Sequence, residues 1–158
     1  MIRTLMIAAA SAAVIALSPA AFAQQTGGTA DEAKAMLIEG VAAVKADQAS
    51  ALAMFNKGEG GFLDRDLYVF CGQISDGKTV AVGNPNAKST IGTDGRTLKD
   101  VTGKNFGAEI IAGYQKPEGE FTEVSYMWPR PSDKTPAQKV SLVTRAGPDI
   151  GCGVGYYK

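Results

Sequence analysis

The sequence predicts an α+β domain in which one long amphipathic helix packs on a five-stranded antiparallel sheet. Two patterns carry this prediction. Before Gly58, apolar residues recur at helical spacing; after it come five short runs of β-forming residues, divided by Gly, Pro and Asp turn signals. No internal repeat or low-complexity tract interrupts them. Helix first and strands afterwards is the order of a sheet with helical cover on a face.

The chain has 158 residues. Its first 23 open with Met1, Ile2 and Arg3, run through an apolar stretch from Leu5 to Leu17, and close on Ala21, Phe22 and Ala23. A charged start, a short apolar middle and small residues at the end describe a secretory signal peptide, cleaved after Ala23. Ser11, Ser18 and Pro19 interrupt the apolar run, which argues against a membrane anchor. No cysteine lies nearby to be acylated, so the expected product, Gln24 to Lys158, is soluble and periplasmic or secreted. Its size suits one domain.

Composition excludes several function classes. The 16 basic and 16 acidic residues balance, so neither nucleic acid nor an anionic membrane surface is an expected partner. Histidine is absent, which removes the commonest general base and metal ligand. Cys71 and Cys152 are the only cysteines. Two thiols make a poor zinc site, and without Cys-x-x-Cys they make a poor redox centre. In an exported chain an even pair reads as one disulfide, with two buried thiols as the alternative. No metal, cofactor or enzymatic activity is expected.

Thr29, Ala30, Asp31 and Glu32 fit a capping box, so a helix begins there. Leu37, Val41, Val44, Leu52 and Phe55 then form an apolar stripe, broken only between Val44 and Leu52. Asn56, Lys57 and Gly58 end the stretch, giving one helix of roughly 25 residues over 30–56. Such a stripe needs a partner surface: a sheet, or a second copy in a homodimer.

Asp66 to Gln73 is nearly continuous in apolar β-formers and reads as a central strand. Asp76 and Gly77 supply a hairpin turn, and Lys78 to Val82 returns. Gly83 to Lys104 is a long irregular segment, the kind that is often functional in a compact domain. A short helix follows from about Asn105 to Tyr114, with Phe106 and Ile110 on one face. Phe121 to Trp128, Lys139 to Arg145 and Cys152 to Tyr157 complete the strands. Gly103 and Lys104 lack the rest of a phosphate loop and mark the start of the short helix. Asp64 and Asp66, on either side of Arg65, have no second catalytic group, so a turn and charge-pairing role is expected.

Taken in order, several segments resemble a single Cache domain. These are Phe62 to Phe70, Asp76-Gly77-Lys78, Ile91-Gly92, Asp100 with Gly103, Lys104 and Phe106, Tyr126-Met127-Trp128-Pro129, Lys139 with Val143, and Gly153 to Tyr157. The resemblance spans about Ala33 to Lys158. It implies a PAS-like fold: a long N-terminal helix on a five-stranded antiparallel sheet whose first and last strands are adjacent in the middle. It also implies the outer sensing part of chemoreceptors and histidine kinases, many of which bind small carboxylates. Because the chain stops at Lys158, without a transmembrane helix or signalling module, the expectation is signalling through a separate membrane receptor or kinase. The alternative is an interaction-only protein whose long helix docks on such a partner without a ligand.

If the strands of Cys71 and Cys152 are neighbours, as the resemblance implies, their thiols can meet. The bond would close a loop of roughly 80 residues and stabilise by about 4 kcal/mol in the chain-entropy model. Tyr68, Phe70, Phe106, Tyr126 and Trp128 could line a pocket for a small polar guest or be plain core. Alternation puts Tyr68 and Phe70 on one sheet face and Tyr126 and Trp128 on one face, so one pair is expected under the helix and the other at the cavity. A carboxylate needs a cation. Lys139 resembles the family's lysine opposite the Tyr-x-Trp strand, and Ser141 shares its face. Arg65 and Arg130 are the alternatives, with planar forks suited to a carboxylate.

Overall fold

Thr29 caps the first helix as its sequence dictates: its hydroxyl accepts from the Glu32 amide, and the Glu32 carboxylate accepts from the Thr29 amide. The computed structural model describes residues 27–158; the signal-peptide reading of residues 1–23 lies outside the described residues. Helix α1 spans Ala30–Ala46 and α2 spans Gln48–Lys57. The expected single helix over 30–56 therefore breaks at Asp47, which is extended (φ −158°, ψ 99°) and caps α2 by accepting from the Ser50 amide and hydroxyl. This break falls in the gap of the apolar stripe between Val44 and Leu52. Gly58, at φ 69°, ends α2 in the left-handed region.

The strands are β1 (Leu63–Asp64), β2 (Leu67–Gln73), β3 (Thr79–Val82), β4 (Thr122–Pro129), β5 (Pro136–Gly147) and β6 (Ile150–Tyr157). They pair antiparallel in the order β1-β2-β6-β5-β4, with β3 also on β2. The expected strands are all present. β5 and β6 each begin earlier than their apolar runs, at Pro136 and Ile150, and the two-residue β1 is an addition too short for a periodic signal. β2 and β6 lie side by side in the middle. Their register sets Cys71 opposite Cys152, and the pair is bonded, with S–S 2.10 Å.

Helices α1 and α2 cover one face of the sheet. Ala33, Leu37, Val44 and Phe55 pack there on Val69, Leu142 and Val154, around the disulfide. On the other face lie α3 (Phe106–Tyr114) and the segment before it, which contains two 3-10 turns, Pro85–Thr90 and Gly95–Thr97. Among the described residues no helix is long and apolar enough to cross a membrane.

The disulfide joins the two central strands. Replacing Cys71 and Cys152 by Ser should lower unfolding free energy by about 2–5 kcal/mol, read as a shift of the urea midpoint; an unchanged midpoint would contradict the bond.

Candidate functional site

β6 carries Gly151, Gly153 and Gly155 at alternate positions, so one face of a central strand has no side chains until Tyr157 at its end. Neighbouring strands and α3 fill the space. A Cβ on Gly151 would meet the Tyr114 ring at 2.0 Å, one on Gly153 the Phe70 ring at 2.4 Å, and one on Gly155 Lys139 Cε at 2.3 Å and Ser141 Oγ at 2.4 Å. Lys139 lies between Tyr126 of β4 and Tyr157 of β6 in the ladder. Laid across Gly155, it brings its Nζ over the Tyr68 ring at 3.8 Å, with the Tyr157 and Phe70 rings at 5.3 and 5.5 Å.

This side chain is fully buried, and its Nζ has no hydrogen-bond partner among the described residues. Burial pushes the amine well below its ordinary range, opposed in part by the charge of Asp66. That carboxylate is already engaged: Arg130 Nη1 donates to it at 2.9 Å and the Gly28 amide at 2.6 Å. Aromatic faces attract a cation, but they do not replace the hydrogen bonds an amine loses on leaving water.

Between the sheet and its second cover is a cavity of about 60 Å³ lined by Tyr68, Phe70, Phe106, Tyr126 and Trp128 among others; Lys139 does not line it and reaches its wall through the Tyr68 ring. Phe106 stacks on Tyr126 at 4.0 Å with planes 3° apart, and Trp128 meets Phe106 edge-on at 5.1 Å. The Tyr126 hydroxyl is 2.9 Å from Ser141 Oγ. Burial raises the Tyr68 and Tyr126 phenols, so both are neutral hydrogen-bonding groups.

The structure thus gathers six of the eight residues singled out in the sequence on one side of the sheet: Tyr68, Phe106, Tyr126 and Trp128 at the cavity wall, with Lys139 and Ser141 against that wall. Neither aromatic strand pair lies under α1, as one was expected to. β2 and β4 are both in phase with β6's glycines, and it is Val69 and Cys71 that turn toward the helices. Arg130 stands at the edge of the group, 4.7 Å from the Tyr157 ring and bound to Asp66. Arg65 is elsewhere. With φ 55°, it donates to Glu32 at 2.8 Å and to the Gly27 carbonyl at 3.3 Å, fastening the start of α1. Asp64 pairs with Arg65 and Asp66 with Arg130, the charge-pairing role expected of both.

Two further side chains of this group escaped the sequence reading. Asn84 is fully buried at the head of the irregular segment; its Nδ2 donates to Tyr68 Oη and to the Pro129 carbonyl, each at 3.3 Å. Tyr157 donates to the same carbonyl at 2.7 Å. The alternating glycines were the available signal for the whole arrangement, since a strand that lacks side chains on one face must be overlaid by its neighbours.

Asp100 holds the segment before α3 against β4. One oxygen accepts from the Thr102 amide and hydroxyl and the Lys104 amide, and the other from the Met127 amide at 2.9 Å.

The model of the family described as Single Cache domain 2 matches residues 23–156, and the chain belongs to that family. Among solved structures it is similar to a methyl-accepting chemotaxis protein from Vibrio parahaemolyticus RIMD 2210633, with 24% identity over 80% of this chain and 86% of that one and a TM-score of 0.62. A periplasmic sensor domain of a chemotaxis protein has 20% identity, coverage of 80% and 88%, and a TM-score of 0.58. A Cache chemosensory domain described for carboxylic acid recognition has 23% identity, coverage of 80% and 86%, and a TM-score of 0.57. At these identities the likeness establishes the fold. No curated protein matches the sequence.

The hydrogen bonds to Asp100, led by that from Thr102, hold its carboxyl down at about 2, against an ordinary 3.8. The unfolded chain therefore takes up the proton first as pH falls. Stability from Asp100 is complete above about pH 4 and lost on acidification toward pH 2. Thermal melts should show Asp100→Asn well below the parent at neutral pH, with the gap closing over that window; a gap independent of pH would contradict the role.

Proposed function

We propose that this domain binds a small organic acid beside Lys139, on the outer side of a bacterial inner membrane, and passes its occupancy to a membrane receptor or kinase. The observation that carries the reading is the fully buried Lys139 Nζ, which has no hydrogen-bond partner among the described residues and lies over the ring of Tyr68, a residue of the cavity wall. A carboxylate placed there would supply both the missing acceptor and the opposite charge. Tyr68 and Tyr126 bring hydroxyls to the same wall, and Asn84 orients the Tyr68 phenol. The small apolar cavity favours a guest with a short hydrocarbon tail.

The family supports a sensory role, and the carboxylic acid recognition attributed to one structural neighbour agrees with the chemistry at Lys139. An exported location fits the signal-peptide reading of residues 1–23 and the Cys71–Cys152 bond, since disulfides persist outside the cytoplasm. Lys139, Ser141, Tyr126, Trp128, Tyr68 and Phe106 are the proposed binding residues. Arg130 acts through its hold on Asp66. Arg65 has no part in the binding step.

A thermal-shift screen against short organic acids, amino acids and related metabolites tests the reading. One class of acid should raise the melting temperature saturably. Lys139→Met should weaken that acid's binding by roughly 100-fold, while the ligand-free variant stays folded and gains about 1 kcal/mol by losing an unsatisfied donor. A flat screen on folded, disulfide-intact protein would contradict acid binding and favour the interaction-only alternative.

A further inference from the structure

Acid binding at Lys139 has a consequence for protons, and this inference rests on that reading. We propose that the site takes up a carboxylate together with one proton, so that the species it captures is in effect the neutral acid.

The geometry around the amine carries the inference. Within the ladder its neighbours are Tyr126 on β4 and Tyr157 on β6, and across β6 it meets Tyr68 on β2. All three are phenols, and burial raises the range of each, so none supplies an anion. Ser141, on its own strand, is shared with the Tyr126 hydroxyl. The charge that acts on the amine is that of Asp66, which is bound to Arg130. Asp66 spends its negative charge on Arg130 and on the Gly28 amide.

A lysine in such surroundings has its charge opposed by burial and supported only by ring faces, so the neutral amine is favoured before the guest arrives. The downward displacement of its titration agrees with this. An arriving carboxylate reverses the balance. It offers an opposite charge and acceptor oxygens at the one place that lacks them, and the amine then takes a proton from solvent. The balance is simple: carboxylate, neutral amine and one proton combine into an ammonium–carboxylate pair, and no covalent bond changes. Apparent affinity for the carboxylate then falls as pH rises, about tenfold per pH unit while the free amine stays neutral. A site holding a permanent cation would show no such slope.

Titration calorimetry of the purified protein with sodium acetate and sodium propionate, in phosphate and in Tris near neutral pH, decides the matter. The apparent binding enthalpies should differ between buffers by an amount matching about one proton taken up per site. Affinity should also decline as pH rises, approaching tenfold per unit wherever the free amine is neutral. Clear binding with equal enthalpies in both buffers and no pH slope would overturn proton uptake while leaving acid binding intact. If no short acid gives heat or a thermal shift at any pH, the acid-binding reading fails and this inference fails with it.

Discussion

The pairing of β2 with β6 is the constraint from which both faces of this molecule follow. It brings residues far apart in sequence into one register, where Cys71 faces Cys152 and their bond fixes the alignment. A slip of one residue would turn every side chain of β6 to the opposite face. In the observed register, Val154 and Cys152 join Val69 and Cys71 under α1, while Gly151, Gly153 and Gly155 face the second cover. The helix side is thus a filled apolar core. The other side has a glycine trough down its centre, and Tyr114, Phe70 and Lys139 lie across it.

That trough explains how a lysine comes to be wholly buried in a domain with no shortage of surface. Lys139 is on a strand flanked by two others and cannot snorkel to the edge; Gly155 gives its stem a path inward, ending on the Tyr68 ring. Leaving a buried amine without an acceptor costs stability, and the Asp66 carboxylate that could have relieved it is held by Arg130. The same carboxylate accepts from the Gly28 amide, while Arg65 next to it binds Glu32 and the Gly27 carbonyl. The charge environment of Lys139 therefore shares a residue with the anchor of α1.

Most of the architecture was visible in the sequence because it rests on local signals. The Thr29 capping box, the apolar run of β2, the Asp76-Gly77 turn and α3 all appear where residue pattern and backbone geometry agree. The break at Asp47 was present as a gap in the apolar stripe but was bridged, because helical spacing alone does not distinguish a pause from an interruption. Strand alternation gave the faces within each strand, yet could not say how the phase of β2 related to that of β4. That relation depends on registers transmitted through β6 and β5, which are non-local. For the same reason Asn84, in an irregular segment without periodicity, gave no sign that it would reach Tyr68. Arg65 carried the right chemistry for a carboxylate, but the β1–β2 turn directs it to the start of α1.

The central claim is that the buried amine of Lys139 receives the acid. A crystal structure of the protein grown with the best acid from the thermal screen tests this most directly. The account predicts a carboxylate oxygen about 2.8 Å from Lys139 Nζ, with the hydrocarbon tail among Phe106, Tyr126 and Trp128. An acid bound away from the cavity, or one inside it that leaves Lys139 Nζ without a partner, would contradict the account.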